Sequence, residues 1–213
     1  EVTEAPTATE EPEPTAAPTP EVVREETPAS AFECAFFGEA IIMGLKEDLS
    51  EVVIPEEIDG YPVGEINSYA FADCENLTYV ELPENLKKIG VMAFDGCGNL
   101  TNVKIPENVT YIGDSAFSRC FSLTSIEMSE NVTYIGESAF SGCTNLTNIV
   151  FPEKTARVGS YAFGGTPWLE EQIKGKDSLV FGNIIYWMSK EYEGEYIVPE
   201  GITRIGGGAF AGC

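Results

Sequence analysis

"NVTYIGDSAFSRC", residues 108–120, returns as "NVTYIGESAFSGC" at residues 131–143, so nearly the same thirteen residues occur twice, 23 positions apart. An Ala-Phe pair marks the same place in both copies, and it recurs at this interval over much of the chain. The evenly spaced pairs begin at Ala70, Ala93, Ala116, Ala139 and Ala162. A fixed period of this length is typical of a solenoid, whose units bury apolar residues only by stacking on each other.

Each period also contains a Leu-x-x-(Val/Ile)-x-(aliphatic) segment, whose alternation predicts a short strand. The four copies are "LTYVELPEN" (77–85), "LTNVKIPEN" (100–108), "LTSIEMSEN" (123–131) and "LTNIVFPEK" (146–154). Stacked periods would pair these strands into a parallel sheet with a spacing of about 4.8 Å. Gly90, Gly113 and Gly136 indicate a turn. The following Ala-Phe-x-x-Cys segment predicts a short helical turn with its Phe pointing inward.

This frame resembles the BspA-like leucine-rich repeats, a 23-residue variety found mainly on bacterial surface proteins. Residues 63–169 follow the frame without a gap in spacing, and residues 202–213 resume it. The resemblance implies a leucine-rich repeat solenoid of the α/β class, mostly β. It implies a short parallel sheet on the concave side, with short helical or 3-10 turns on the convex side. It also implies adhesion or ligand binding rather than catalysis.

A second, longer repeat interrupts the regular frame. "FGNIIYWMSKEYEGEYIVP" (181–199) aligns without gaps to "FGEAIIMGLKEDLSEVVIP" (37–55), and Gly182-Asn183 between two apolar runs is a hairpin signal. We therefore expect hairpin-bearing variant rungs at about 36–55 and 180–199. The predicted organisation is an N-terminal variant rung or cap at 31–62, regular repeats at 63–169, a variant rung at 170–201 and the start of a further, truncated repeat at 202–213.

This organisation predicts that Cys213 is not the natural end of the protein, because the last rung stops before its strand. An uncapped rung exposes apolar surface and unpaired backbone, so it is prone to self-association. The full gene tests the first point: a stop codon directly after Cys213 would refute it.

The first thirty residues differ in composition from the rest of the chain. Residues 1–30 contain eight acidic residues and one basic residue, and they are almost wholly Glu, Pro, Thr and Ala. This composition predicts a disordered acidic linker ahead of a solenoid at 31–213. A linker of this kind suits an extracellular or cell-surface protein that is anchored upstream of residue 1.

The charge and the missing residue types exclude several functions. The formal net charge of −23 disfavours nucleic acids and anionic lipid surfaces, and no apolar run has the length of a membrane span. The chain contains no His, which removes the commonest general base. The segment "RIGGGAF" (204–210) lacks the Lys-Ser/Thr of a phosphate-binding loop. We expect no enzymatic activity, no cofactor, no metal site and no direct membrane insertion.

Cysteine and Asn-x-Thr recur in fixed slots of the repeat. The cysteines in one slot are Cys74, Cys97, Cys120, Cys143 and Cys213, while Thr166 fills the same slot and Cys34 lies outside it. A metal site or redox pair is one interpretation, but the spacing favours buried, reduced thiols packed as small apolar groups. The triplets begin at Asn76, Asn99, Asn108, Asn131 and Asn145. They are either glycosylation signals or a product of the repeat, and their fixed slots favour the second.

The outward residues of the predicted concave sheet are the first candidate binding site. They are Tyr79, Glu81, Asn102, Lys104, Ser125, Glu127, Asn148 and Val150. This mixture of aromatic, polar and charged side chains would bind a protein loop or a sugar. The alternative is a solvent-exposed face that binds no ligand. The variant hairpin offers a second contact through Tyr186, Trp187 and Tyr192, since exposed aromatics anchor partners. The alternative there is packing on the neighbouring rung.

These observations predict a non-enzymatic cell-surface or secreted leucine-rich repeat protein for protein or glycan recognition, such as adhesion. The partner would be a host or neighbouring-cell protein or glycan that the sequence does not identify. Two alternatives remain open. One is a purely structural surface spacer, and the other is a targeting module of a larger protein whose catalytic domain lies outside this sequence.

Overall fold

The computed structural model describes residues 24–150 and 157–213, and these form a β-solenoid of about seven turns. The first elements are a 3-10 helix at Ala29–Ala31, β1 Phe32–Phe36, β2 Ala40–Leu45, β3 Glu51–Val53, β4 Glu57–Ile58 and β5 Tyr61–Ile66. The regular rungs supply β6 Tyr79–Glu81, β7 Lys88–Ile89, β8 Asn102–Lys104, β9 Tyr111–Ile112, β10 Ser125–Glu127, β11 Tyr134–Ile135, β12 Asn148–Val150 and β13 Arg157–Val158. The last elements are helix α1 Pro167–Ile173, β14 Ser178–Phe181, β15 Ile184–Met188 and β16 Arg204–Ile205.

Each regular rung contributes one strand to each of two ladders. The strands β3, β6, β8, β10 and β12 form the predicted sheet, which we call the Leu ladder. Within it β3 pairs with β6, and β8, β10 and β12 pair in sequence, all parallel. A second ladder runs β1-β2-β5-β7-β9-β11-β13, and we call it the Gly ladder because a glycine follows most of its strands. The sequence predicted only a turn there, so the Gly ladder is an addition to the predicted fold.

The phenylalanines of the Ala-Phe pairs form one continuous interior column, as predicted. Their rings are fully buried and nearly parallel. The centroid distances are 4.9 Å for Phe71–Phe94, 5.1 Å for Phe94–Phe117, 5.4 Å for Phe117–Phe140 and 5.6 Å for Phe140–Phe163. Each ring therefore loses its contact with water through the rungs on either side of it, which is the defining property of a solenoid.

The segment around each Phe forms successive turns rather than a regular helix. Its hydrogen bonds span three residues, as in a 3-10 helix: Ala70 N donates to Asn67 O and Cys74 N to Phe71 O. Tyr69 and Asp73 have φ values of +65° and +55°, so the backbone cannot continue as a helix through them. The Phe N–H instead bonds the next rung, for example from Phe117 to Ala139 O at 2.7 Å.

The repeated glycine allows the backbones of adjacent rungs to meet. A Cβ on Gly113 would lie 2.6 Å from Gly90 C and 2.7 Å from Val91 N, which are backbone atoms of the preceding rung. Side chains cannot rotate away from such a contact, so only glycine fits without moving one rung from the next. The predicted turn at this glycine is present, and its physical reason is close approach.

The predicted buried position of the repeat cysteine is confirmed for Cys97, Cys120 and Cys143. Each thiol donates to the Phe carbonyl of the preceding rung, at 3.0 Å from Cys97 to Phe71, 3.2 Å from Cys120 to Phe94 and 3.0 Å from Cys143 to Phe117. Cys74 is only half-buried, and Cys213 is exposed.

We expect thiol reactivity to follow this burial. Burial raises the pKa of Cys97 to about 12, and a hydrogen bond with Cys143 together with burial raises the pKa of Cys120. Since the thiolate is the reactive form, an aromatic disulfide reagent at pH 8 should modify Cys213 first. The thiols of Cys97, Cys120 and Cys143 should react only when urea unfolds the protein. Fast modification of all six cysteines in the native state would contradict the structure.

The Asn slots also have a structural role. At three of the five positions the side-chain amide donates to a backbone carbonyl of the preceding rung, from Asn99 to Glu75 at 2.7 Å, from Asn108 to Glu84 at 2.8 Å and from Asn131 to Glu107 at 2.9 Å. These bonds explain why the repeat keeps Asn in these slots, independently of any modification.

Both predicted hairpins are present. Strands β1 and β2 pair antiparallel, and so do β14 and β15, around the predicted Gly182-Asn183 turn. The hairpin strands begin earlier than predicted, at Phe32 and Ser178. Thr166 replaces the repeat cysteine just before the second hairpin. Its Oγ1 accepts from Leu169 N at 3.2 Å, so it caps α1, which begins at Pro167.

The predicted boundary of the disordered linker is wrong. Residues 1–23 lie outside the described residues, but residues 24–30 pack on the first rungs. Thr27 is buried, its N–H donates to Val53 O at 2.9 Å, and its Oγ1 accepts from Val53 N at 2.9 Å. This exchange of hydrogen bonds offsets the cost of ordering a segment whose composition is that of a linker.

Candidate functional site

The predicted binding residues lie on the outer face of the Leu ladder in two columns. Register places Ser125 opposite Asn102 and Asn148, and it places Glu127 opposite Lys104 and Val150. Tyr79 and Glu81 hold the same positions on β6. The alternating exposure of each strand directs these side chains outward and directs the middle residue, such as Val103, into the core.

Tyr79 is covered by a residue that was predicted to be disordered. The Arg24 guanidinium lies over the Tyr79 ring, 3.7 Å from its centroid, and Arg24 Nε is 3.1 Å from a Glu51 carboxylate oxygen. The Tyr79 hydroxyl donates to Glu81 Oε2 at 2.9 Å. Partial burial, followed by the bond to Glu81, raises the pKa of Tyr79 above its usual value. The aromatic face expected to meet a ligand is thus already occupied by a cation.

A groove of about 590 Å³ opens beside this pair. It lies where the Leu ladder is interrupted, because β6 and β8 do not pair as strands, and the backbone bond from Thr101 N to Thr78 O joins their rungs. The lining residues that carry charge or polar groups are Arg24, Glu26, Glu56, Tyr79, Glu81, Glu84, Asn102 and Lys104. This size falls within the range of small-ligand pockets.

Some charged side chains of the groove are held by hydrogen bonds, and its lysine has no ion-pair partner among the described residues. The Glu56 carboxylate accepts from the backbone N–H groups of Glu84 at 2.7 Å and Asn85 at 3.1 Å, so it is held in place. Lys104 is exposed and forms no ion pair with any residue in the described ranges. Its ammonium group can therefore bind a ligand without first breaking an internal contact.

The structure brings only half of the predicted residues together. Tyr79, Glu81, Asn102 and Lys104 line the groove. The other four, Ser125, Glu127, Asn148 and Val150, lie further along the ladder and do not line it. The Asn102 amide oxygen accepts from Ser125 Oγ at 2.8 Å, which links the two halves.

The second predicted contact, on the variant hairpin, is wrong for Tyr186. Tyr186 is 7% exposed, and its hydroxyl accepts from Phe163 N at 3.0 Å. It supplies the acceptor that an Ala carbonyl supplies in the regular rungs, because the hairpin interrupts that pattern. Burial raises the pKa of Tyr186 to about 12. The residue is therefore part of the core and not of a binding surface.

The other two hairpin residues are half-buried. Trp187 packs against the core from β15, and the Tyr192 hydroxyl donates to Glu195 O at 2.9 Å. The Tyr192 ring meets Tyr196 edge to face, with centroids 5.7 Å apart. These contacts fix both side chains to neighbouring residues, so a role for them in binding stays a prediction.

Sequence reasoning missed the outward column of the Gly ladder. Lys88, Tyr111, Tyr134 and Arg157 occupy successive rungs. The rings of Tyr111 and Tyr134 stack at 4.5 Å, and Arg157 lies 5.2 Å from the Tyr134 centroid. The available signal was the residue before each Ile-Gly or Val-Gly pair, which is basic or aromatic in all four rungs.

Among the described residues, no three His, Cys, Asp or Glu side chains lie close enough together to hold a metal ion. In the same part of the chain, no helix has the length and apolar character needed to cross a membrane.

A family model for the BspA type leucine rich repeat region matches six copies over residues 64–193. The chain belongs to this family. The BspA-type match extends over the second hairpin, β14 to β15.

Solved structures of bacterial repeat proteins share the BspA-type fold. A leucine-rich repeat protein from T. pallidum is 28% identical, with a TM-score of 0.67 and coverage of 89% of both chains. A leucine rich cell surface protein from Faecalibacterium prausnitzii is 22% identical, with a TM-score of 0.57. The match covers 90% of this chain and 53% of that protein, and it shows the fold alone. A search of curated proteins found no match.

Proposed function

We propose that this BspA-type repeat protein is a non-catalytic recognition module, displayed at the cell surface or secreted, that binds a protein or glycan through the groove on the Leu ladder. The observation that carries the proposal is the position of Lys104. It is an exposed cation without an ion pair among the described residues, beside a groove that also presents Tyr79, Glu81 and Asn102. The groove also carries carboxylates from Glu26, Glu56 and Glu84, so a ligand rich in hydroxyls that places one oxygen on Lys104 matches this combination of groups.

The surface location is supported by the family resemblance and by the acidic Pro/Thr-rich composition of residues 1–30. A Pro-rich, like-charged segment extends, so it would hold the solenoid away from an anchor. Antibody labelling of intact cells tests this part of the proposal, since signal only after permeabilisation would contradict it.

Binding is tested on a glycan and host-protein array with the purified chain. Lys104→Ala should weaken binding about tenfold or more, because it removes the charged group that contacts the ligand. Lys176→Ala is the matched control, since Lys176 is exposed and lies outside the groove. Tyr79→Phe removes only the hydroxyl that bonds Glu81. Binding unchanged by both groove variants would reject the groove, and the absence of any ligand would favour the structural spacer.

A further inference from the structure

The Gly ladder contains a notch where the second hairpin interrupts its outward column. Strand β13, which carries Arg157, contacts β15, and Ile184 of β15 pairs in register with Arg204 of β16. Ile184 is buried, so its side chain does not extend the column. A cavity of about 380 Å³ opens between the two arginines.

Arg157 differs from Arg24 and Arg119. Arg24 and Arg119 each contact a carboxylate, Arg24 at 3.1 Å from Glu51 and Arg119 at 2.7 Å from Asp95. The exposed Arg157 has no carboxylate partner among the described residues, and its contact is the Tyr134 ring. In a chain with a net charge of −23, a guanidinium group beside a cavity and without such a partner is available to an anionic ligand.

The lining of the notch also includes hydrogen-bond acceptors. Asp114, Glu137 and Ser160 hold the same position in successive rungs, directly after the repeat glycine, and Gly207 holds it beyond the hairpin rung. Asp114 Oδ1 accepts from Glu137 N at 2.9 Å and from the Tyr134 hydroxyl at 3.3 Å. This leaves Oδ2 of Asp114 and the exposed carboxylate of Glu137 at the cavity wall.

The side chains at this repeat position become shorter towards the last rung, and one backbone N–H there has no hydrogen-bond acceptor among the described residues. Ser160 and Gly207 follow Asp114 and Glu137, so the cavity is open on this side. The Glu137 N–H is used by Asp114, whereas the equivalent N–H of Ser160 has no acceptor within the described ranges. The notch therefore combines a guanidinium, a backbone N–H and a hydroxyl with two carboxylates.

We propose that this notch binds a carboxylated sugar, a uronic acid within a glycan. The guanidinium of Arg157 pairs with the sugar carboxylate, a geometry for which Arg is well suited. Asp114 and Glu137 accept hydrogen bonds from ring hydroxyls. The same two carboxylates repel sulfate, which has no hydroxyl to donate in return. The volume is at the lower end of ligand sites, as expected for a short saccharide.

The experiment is calorimetric titration of the full chain with trigalacturonate, with maltotriose as the neutral trisaccharide and sulfate as the simple anion. Arg157→Ala removes the proposed cation. Ser160→Glu adds a carboxylate at the notch, and its charge repels the sugar carboxylate. Because Ser160 Oγ packs against Gly207, the melting temperature of this variant is compared with that of the parent. Arg119→Ala is the control, because Arg119 pairs with Asp95 away from the notch.

We expect trigalacturonate to bind and both notch variants to weaken binding at least about tenfold, with Arg119→Ala unchanged. Binding should also weaken as salt is raised. Lys104→Ala should leave it unchanged, since the notch does not depend on the Leu-ladder groove. The proposal is overturned if trigalacturonate does not bind, if maltotriose or sulfate binds equally well, or if both notch variants bind as the parent does.

Discussion

Replacing Phe117 by alanine is expected to lower the free energy of unfolding by about 3–5 kcal/mol. The Phe117 ring is fully buried, and its neighbours in the column are Phe94 at 5.1 Å and Phe140 at 5.4 Å. Alanine would leave a cavity in the middle of the stack that neither neighbouring rung can fill, because both are fixed by their own backbone bonds. Urea denaturation followed by circular dichroism measures the change.

Phe121→Ala is the matched control for this substitution. Phe121 lies four residues away in the same rung and is 49% exposed. The same loss of a ring there should cost no more than about 1 kcal/mol. A similar loss of stability in the two variants would mean that the buried column does not carry the stability of the solenoid.

Gly113→Ala is expected to destabilise the protein by about 3 kcal/mol or more. The added methyl group would meet backbone atoms of Gly90 at 2.6 Å and 2.7 Å. Relief requires the two rungs to move apart, which lengthens the ladder bonds on both sides, such as that from Gly113 N to Ile89 O at 2.9 Å. Thermal unfolding measured by calorimetry gives the loss of stability.

Gly98→Ala provides the comparison. A Cβ on Gly98 would lie 3.4 Å from the Phe121 ring and 3.9 Å from the nearest backbone atom, with no positive φ. Its effect should stay within about 0.5 kcal/mol, as for ordinary surface substitutions. An equal loss from both glycine variants would show that a general preference for glycine, and not close approach of rungs, accounts for the repeat.

The interior of the molecule was predictable from sequence because burial acts on every rung alike. The same contact is made by Phe71, Phe94 and Phe117, so the requirement for a large apolar residue returns at a fixed interval. The turn at Gly182-Asn183 was predictable for a different reason. Two turn-forming residues between apolar runs adopt few structures other than a hairpin turn.

The features that the sequence did not predict are those that depend on a single contact. The Gly-ladder strands of the regular rungs are two residues long, as in Tyr111–Ile112, which is too short for an alternating pattern to be recognised in the sequence. Tyr186 is buried because one N–H, that of Phe163, lacks its usual acceptor. Arg24 is ordered by Tyr79 and Glu51, although the composition around it is that of a linker.

The same distinction separates the two candidate binding surfaces. The outward position of Lys104 follows from strand alternation, so the sequence placed it on the surface. The groove beside it lies where β6 and β8 do not pair, and the notch beside Arg157 lies where the buried Ile184 interrupts the outward column. Both cavities therefore arise at irregular places in a regular fold, which a repeat alignment does not show.

Native-state hydrogen exchange tests most directly whether adjacent rungs stabilise each other. The N–H groups of Phe94, Phe117 and Phe140 donate to the next rung at 2.7 Å, and no local opening frees one without separating two rungs. We expect these three amides to exchange only through unfolding of the stack, with opening free energies that agree within about 1 kcal/mol. Rapid or independent exchange of the three would contradict the stacked solenoid.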